Sequence, residues 1–182
     1  KKEALVGNQA FIESLGISAA SLIDQVSELQ GEAKTVVFAV YDKEILAVLA
    51  LADTLKPHAR EAIEALKKMG KEIVMITGDN PKTAEAISHQ LGVDRYLAQV
   101  LPQQKADVIK KLQSDGKKVA MVGDGINDSP ALAQSDAGIA IGSGTDVAIS
   151  TGEIILVKDD LRDVVTAIQL SGKTIKKVWQ NL

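Results

Sequence analysis

Residues 77–80, Thr-Gly-Asp-Asn, combine a hydroxyl, a glycine and a carboxylate directly after a predicted strand. The Thr77 hydroxyl and the Gly78 N–H could approach a phosphoryl oxygen closely, because glycine places no side chain in the way. The same four residues also fit a helix N-terminus, with Asp79 or Asn80 as the capping residue and proline in the first helical position. Capping and phosphate contact are compatible, so both interpretations stay open.

A second acidic segment, residues 123–128, reads Gly-Asp-Gly-Ile-Asn-Asp. Asp124, Asn127 and Asp128 offer oxygen ligands of the kind that suits Mg²⁺ held together with a substrate phosphate. Two acids and an amide so close together cost stability unless a cation or a hydrogen-bond network uses them. Lys105, predicted near the start of a helix, could place its charge against a phosphoryl group or lie in solvent. In combination, these segments favour phosphoryl transfer.

The composition narrows the class of protein that can carry this chemistry. Of the 182 residues, 46% are hydrophobic and 25% are charged, which is typical of a folded globular chain. The net charge of −3 excludes the basic surface that nucleic acid requires as a partner. There is no cysteine, and His58 and His89 are the only histidines, so a transition-metal site within the chain is not expected.

The apolar pattern predicts two α/β parts. Residues 21–29 predict a helix, and residues 35–41 and 45–52 predict a hairpin. The second strand is a continuous apolar run and is expected to be buried on both faces. Beyond residue 53, short apolar strands alternate with amphipathic helices, as in a doubly wound parallel sheet. The predicted strands there are 73–76, 119–122, 138–141 and 154–157, and the helices begin near 57, 81, 102, 131 and 161. Ligands of such sheets bind beyond the carboxyl ends of the strands, where both polar segments lie.

The sequence resembles the cytoplasmic part of heavy-metal-transporting P-type ATPases, most like the copper exporters, over essentially its whole length. The matching motifs are Val-Met-Ile-Thr-Gly-Asp-Asn at 74–80, Val-Leu-Pro-Gln-Gln-Lys at 100–105, Met-Val-Gly-Asp-Gly-Ile-Asn-Asp-Ser-Pro-Ala-Leu at 121–132, Gly-Ser-Gly-Thr-Asp-Val-Ala at 142–148 and Asp-Asp-Leu-Arg-Asp at 159–163. The resemblance implies a haloacid dehalogenase-like phosphorylation domain over residues 51–182. It implies that residues 1–50 are the C-terminal part of an α+β nucleotide-binding domain.

The resemblance also implies roles in the phosphorylation domain. Asp124 would bind Mg²⁺ directly with Asp128 beside it, and Thr77 and Gly78 would hold the phosphoryl oxygens. Lys105 would neutralise charge in the transition state. The catalytic set implied in this way is Thr77, Gly78, Asp79, Lys105 and Asp128.

For the nucleotide, the resemblance implies that Gly7 and Asn8 line the ATP site and that Asn127 lies near the phosphate. Asp53 resembles the acidic residue at the hinge between the two domains. The implied cofactors are Mg²⁺ and ATP. Without the resemblance, Gly7-Asn8 reads only as a turn.

The phosphoryl acceptor of the family, the first residue of Asp-Lys-Thr-Gly-Thr-Leu-Thr, does not occur in these 182 residues. Asp53 precedes Thr-Leu but lacks the Lys-Thr-Gly, so it is not expected to be the nucleophile. The chain alone should therefore form no aspartyl phosphate. Because the acceptor strand is central to the family's sheet, its absence should leave two strand edges unpaired.

Two functions remain open from the sequence. The first is the ATP-hydrolysing portion of a transition-metal exporter, soluble itself but held at the cytoplasmic face of the cell membrane by its parent protein. Its partners would be the membrane and actuator domains of that protein, with the transported ion bound elsewhere. The basic segment 173–181 resembles the approach to a membrane span. The alternative is a free-standing or inactive Mg²⁺-dependent phosphatase fragment of the haloacid dehalogenase-like type.

Overall fold

The computed structural model describes residues 3–52, 54–124, 127–142 and 154–181. The strands are β1 (Ala4–Gly7), β2 (Lys34–Tyr41), β3 (Glu44–Ala52), β4 (Val74–Ile76), β5 (Arg95–Leu97), β6 (Ala120–Gly123), β7 (Ala137–Ile141) and β8 (Ile154–Leu156). The helices are α1 (Gln9–Ser14), α2 (Ile23–Gly31), α3 (Ala59–Lys68), α4 (Pro81–Leu91), α5 (Pro102–Ser114), α6 (Ser129–Gln134) and α7 (Arg162–Asn181).

Residues 3–52, hereafter the N-terminal unit, form an antiparallel sheet in the order β1-β2-β3. The alternating residues Val36, Phe38 and Val40 of β2 point into a core that they share with Ile12 of α1 and Val26 of α2. The predicted helix and hairpin are confirmed. Strand β1 and helix α1 are elements that the sequence pattern did not reveal.

The prediction that residues 45–52 are buried on both faces is wrong. Among the residues that the structure describes, strand β3 pairs only with β2 at the edge of its sheet, and most of its residues are exposed. A β-bulge interrupts its register: Ala39 faces Ala47, whereas Val40 faces Ile45. Leu46 is therefore the extra residue of the bulge, and it is 66% exposed. Ile45 and Val48 can both pack on the core although their spacing differs from a period of two.

The rest of the chain has the predicted α/β character. Strand β4 pairs with β5 in parallel, and β6, β7 and β8 form a second parallel sheet. Helix α4 connects β4 to β5 and helix α6 connects β6 to β7, as parallel pairing requires. The doubly wound arrangement of strands and helices is thus confirmed, although the three-residue strand β5 was not predicted.

The parallel strands are interrupted between β4 and β6. Within the part of the chain that the structure describes, β4 pairs only with β5, and β6 only with β7. Ile76 of β4 nevertheless packs against the core cluster that contains Ile109, Met121 and Leu132. Side-chain packing therefore brings the two sheets together where no hydrogen-bond ladder joins them. The edges of β4 and β6 that face each other are candidates for the two unpaired strand edges predicted from the missing acceptor strand.

Helix α7 is anchored at its beginning and exposed towards its end. Val164 and Val165 are buried, and Val164 packs with Ile139 and Ile141 of β7. Leu170, Val178 and Trp179 lie largely in solvent. Among the helices built from the described residues, this one included, none combines the length and the apolar character needed to cross a membrane.

Candidate phosphoryl-transfer site

The turn at residues 77–80 connects β4 to α4 and caps the helix. Asn80 is the N-cap: its side-chain oxygen accepts hydrogen bonds from the N–H groups of Lys82 at 3.0 Å and Thr83 at 3.1 Å. Pro81 occupies the first helical position, where its missing N–H costs nothing. The capping interpretation is confirmed, with Asn80 rather than Asp79 as the capping residue.

Thr77 and Asp79 are bonded to each other within this turn. The Thr77 hydroxyl donates to Asp79 Oδ2 at 2.7 Å, and the Asp79 N–H donates to Thr77 Oγ1 at 3.1 Å. Two further backbone bonds fix the turn to the segment that leads into α5. The N–H of Gln99 donates to Asp79 O at 2.8 Å, and the N–H of Val100 donates to Thr77 O at 3.0 Å. The turn and the start of α5 therefore form one connected structure.

Gly78 lies at the open side of this turn. Its backbone is not in the left-handed region, and a Cβ placed on it would have Val100 O at 3.7 Å as its nearest neighbour. Neither backbone conformation nor packing within the described chain requires a glycine here. A group that approaches the backbone from outside would require one. This is the kind of cradle that a phosphoryl oxygen needs.

Lys105 joins α5 to the acidic segment. Its Nζ lies 2.6 Å from Asp128 Oδ1, and the two side chains are only 16% and 12% exposed. A paired charge at this depth is costly unless its partner stays in place. The structure thus brings together two residues that lie 23 positions apart in the sequence.

Gly123, the last residue of β6, is required by the fold. A Cβ on this residue would lie 2.5 Å from Asp128 Oδ2 and 2.8 Å from Asp128 Cβ. The Asp128 side chain therefore folds back over the end of the strand, with one carboxylate oxygen against Gly123 and the other on Lys105. The Asp128 carbonyl also accepts the Leu132 N–H at 2.8 Å, which begins α6.

Asp124 and Asn127 follow β6 and are both exposed. An exposed carboxylate and an exposed amide oxygen are ligand types that fit Mg²⁺, which keeps several waters and uses few protein ligands. Among the described residues, no group of three His, Cys, Asp or Glu side chains could hold a metal ion. The described residues of the site therefore offer one or two carboxylates to a metal ion.

Two of the candidate nucleotide residues, Gly7 and Asn8, lie in the N-terminal unit and are used structurally there. Asn8 is the N-cap of α1, and its Oδ1 accepts the Phe11 N–H at 2.9 Å. Gly7 faces the Phe11 ring so closely that a Cβ would lie 2.2 Å from its Cδ1. Asp53 lies outside the described residues, so its position at a hinge stays a prediction.

Sequence reasoning missed one polar residue at the site. Thr35, near the start of β2, donates its hydroxyl to Asp79 Oδ1 at 3.2 Å. A threonine at the start of an apolar strand carries no local signal of such a contact. The partner lies 44 positions further along the chain, and only the packing of the N-terminal unit on α4 brings the two together.

Sequence comparison shows strong similarity to copper-transporting P-type ATPases. The copper-exporting P-type ATPase of Bacillus subtilis is 46% identical over 181 residues, which is 100% of this chain and 23% of that protein. Copper-transporting ATPase 1 of Mus musculus is 46% identical over 180 residues, 98% of this chain and 12% of that protein. The chain thus spans less than a quarter of the length of these relatives.

Structural comparison agrees. A zinc-transporting PIB-type ATPase in its E2.Pi state superposes with a TM-score of 0.74 at 37% identity, covering 99% of this chain and 29% of that chain. The catalytic domain of the CPx-ATPase CopB-B superposes with a TM-score of 0.59 at 29% identity, covering 72% of this chain and 52% of that one. A family sequence profile, haloacid dehalogenase-like hydrolase, matches residues 1–136. The chain belongs to the haloacid dehalogenase-like hydrolase family.

Proposed function

We propose that this chain is the ATP-hydrolysing portion, at the cytoplasmic face of the membrane, of a P-type ATPase that exports a transition-metal ion. The relatives named above favour copper as that ion. In the complete protein, the γ-phosphoryl group of ATP would pass to an aspartate carboxylate and then to water. The cycle would be coupled to the membrane and actuator domains, which lie outside this sequence.

The contact between Lys105 and Asp128 is the observation that carries this proposal. It joins the loop after β6 to the first turn of α5, and α5 in turn follows the segment that is hydrogen-bonded to the 77–80 turn. The Lys105 cation is therefore held against one polar segment by a helix whose preceding segment is bonded to the other. A transferring phosphoryl group is stabilised by positive charge fixed in advance at that position.

The residues of the site then divide into three roles. Thr77 and Gly78 would bind phosphoryl oxygens through a hydroxyl and a backbone N–H. Asp124 would bind Mg²⁺ with Asn127 near the phosphate, and the ion when bound would neutralise charge on the phosphate oxygens. Asp128 would hold Lys105 in position and lie beside the metal.

ATP would be bound in part by the N-terminal unit. The Gly7-Asn8 turn begins α1, where the rigid N-cap fixes the backbone that the nucleotide would approach. Asp53 would lie at the hinge between the two parts. These assignments rest on resemblance and on the placement of Gly7 and Asn8 at one helix terminus.

The test is metal-dependent formation of a phosphoenzyme by the complete protein in membrane vesicles. Labelled ATP and Mg²⁺ should give an acid-stable, hydroxylamine-labile phosphoprotein whose formation requires Cu⁺. Lys105→Ala should lower its rate of formation by about 10²–10³-fold, whereas Lys110→Ala, an exposed change on the same helix, should not.

If the phosphoenzyme forms with Zn²⁺ but not with Cu⁺, the exported ion is zinc rather than copper, and the rest of the proposal stands. Hydrolysis of small phosphate esters without any transported ion would favour the free-standing phosphatase instead. An unchanged rate of phosphoenzyme formation in Lys105→Ala would contradict the assignment of Lys105 to the phosphoryl-transfer site.

A further inference from the structure

The Asp79 carboxylate is held from two sides. Its Oδ2 accepts the Thr77 hydroxyl at 2.7 Å, and its Oδ1 accepts the Thr35 hydroxyl at 3.2 Å. Thr77 belongs to the turn itself, whereas Thr35 belongs to the N-terminal unit. This one carboxylate therefore connects the candidate phosphate turn to a separate part of the molecule.

The bond between Thr77 and Asp79 has a consequence for anion binding. A carboxylate accepts hydrogen bonds only, so the single hydroxyl hydrogen of Thr77 must point towards Asp79. That hydrogen is then not available to a phosphoryl oxygen. The negative charge of Asp79 next to the turn also opposes the approach of an anion. For Thr77 to donate to phosphate, its bond to Asp79 has to break, and repulsion between the two anions favours a carboxylate that turns away.

Only the side chain of Asp79 is free to make this movement. The backbone of the turn is fixed by the bonds from Gln99 and Val100 to the Asp79 and Thr77 carbonyls, and Asn80 is fixed as the helix cap. The orientation of the Asp79 carboxylate is therefore decided by its two hydroxyl donors.

The packing of the N-terminal unit on α4 fixes the position of Thr35. Thr83, which is 1% exposed, donates its hydroxyl to the carbonyl oxygen of Lys34 at 3.0 Å, one residue before Thr35. Asn80 Nδ2 donates to the same Thr83 hydroxyl at 2.8 Å. Lys82 Nζ also donates to Ser27 Oγ of α2. The start of β2 is thus attached to the first turn of α4.

We propose that Thr35 is a positioning residue for Asp79. With the N-terminal unit packed on α4, it holds the carboxylate in the orientation that binds the Thr77 hydroxyl, and so lowers the affinity of the turn for phosphate. Separation of the unit from α4 releases the carboxylate and frees that hydroxyl. This inference rests on the proposed function, which assigns phosphate binding to residues 77 and 78.

The experiment titrates inorganic phosphate into the ¹⁵N-labelled chain at constant ionic strength and follows the Gly78 amide by NMR. Thr35→Val removes the hydroxyl and keeps the shape, and Thr35→Ser keeps the hydroxyl as the matched control. Asp79→Ala and the double variant Thr35→Val/Asp79→Ala test whether residue 35 acts through residue 79.

Thr35→Val should bind phosphate roughly 3–10-fold more tightly than the wild type, the net contribution of one hydrogen bond. Thr35→Ser should match the wild type. In the Asp79→Ala background, Thr35→Val should cause no further change in the affinity for phosphate. An unchanged or weaker affinity in Thr35→Val, or a gain that persists without the Asp79 carboxylate, would overturn the inference.

Failure of the proposed function gives a different result. If the Gly78 amide responds to phosphate in none of the five proteins, the assignment of phosphate to the turn is wrong. Urea unfolding of the two single variants and the double variant then decides the positioning role. If the losses of unfolding free energy in Thr35→Val and Asp79→Ala add up to the loss in the double variant, the positioning role is overturned. A loss in the double variant that is smaller than this sum would support it.

Discussion

Single residues at this site are constrained by different neighbours, and the two glycines illustrate this best. Gly78 has room for a Cβ, whose nearest neighbour would be Val100 O at 3.7 Å, whereas Gly123 is covered by the Asp128 side chain. A ligand would explain the first glycine, and the protein itself explains the second. The same residue type in two similar polar segments therefore carries two different physical meanings.

Gly123→Ala is predicted to destabilise the chain by about 1–3 kcal/mol, the usual cost of forcing an extra carbon into a packed site. The new Cβ would meet Asp128 Oδ2 at 2.5 Å and would push the carboxylate off Lys105. The free energy of unfolding in urea measures the effect. Gly172→Ala in α7, where a Cβ meets nothing within 4 Å, is the matched control and should stabilise slightly. Equal effects of the two changes would contradict the close contact.

At the scale of elements, local signals in the sequence predicted what local interactions determine. The Asn80-Pro81 pair predicted the start of α4, since capping and the proline position depend only on neighbours. The β2–β3 turn was also predictable, although Asp42 and Lys43 adopt left-handed conformations without glycine. The four-residue β1 and the three-residue β5 are too short to show a period.

The features that the sequence could not predict depend on partners far away along the chain. The apolar run of β3 looks the same whether the strand is central or at an edge, and its bulge shifts which apolar residues face the core. The residue types at 105 and 128 indicated phosphate chemistry, but only folding brings them into contact. Thr35 carried no signal, because its role exists only once the N-terminal unit packs on α4.

The bulge in β3 makes a prediction about two neighbouring residues. Val48 packs against the core of the N-terminal unit, whereas Leu49 is 47% exposed. Leu49→Lys should therefore change the free energy of unfolding by no more than about 0.5 kcal/mol. Val48→Lys should cost several-fold more, because it puts a charge against apolar side chains. Urea denaturation of both variants measures this, and the reverse order would place the bulge elsewhere.

Asp136 connects three elements and makes stability depend on pH. Lys118 Nζ donates to it at 2.8 Å, the Val119 N–H at 3.0 Å and Gln113 Nε2 at 3.1 Å. The bond from Lys118, followed by those from Val119 and Gln113, holds the pKa of this carboxyl well below its ordinary value. The pKa of Asp136 is lower in the folded protein than in the unfolded chain. Its contribution to stability is therefore complete above the ordinary pKa and is lost as the pH falls towards the pKa of the folded state.

Asp136→Asn is predicted to be less stable than the wild type at pH 7, with a difference in urea midpoint that shrinks as the pH falls from about 5 to 3. The amide keeps the shape and still accepts one hydrogen bond, so charge is the main change. Asp107→Asn, which removes a carboxylate 3.9 Å from Lys110 on exposed helix surface, is the control for charge removal. A difference that stays constant with pH would mean that Asp136 acts through its hydrogen-bonding shape alone.

At the scale of the whole molecule, the described residues form three hydrogen-bonded sheets, and side chains join them. The N-terminal unit contributes its own core, while Ile76 ties β4 to the cluster beneath β6. Helices α2 and α4 pack together at the boundary between the N-terminal unit and the rest of the chain. How firmly the N-terminal unit is attached decides whether residues 34 and 35 stay at the candidate site.

Thr83 is the side chain on which that attachment most depends, since it is buried and bonded to both sides. Thr83→Val is predicted to lower the free energy of unfolding by about 1–3 kcal/mol, because the Lys34 carbonyl and the Asn80 amide each lose a buried partner. Amide hydrogen exchange should accelerate in α2 and at the start of β2 more than in β6 and β7. Thr166→Val, an exposed change on α7 that removes a bond to the Arg162 carbonyl, should leave exchange in α2 unchanged. A uniform acceleration across all sheets in Thr83→Val would instead show that the N-terminal unit and the parallel sheets open as one body, so that Thr35 could not separate from Asp79 without global unfolding.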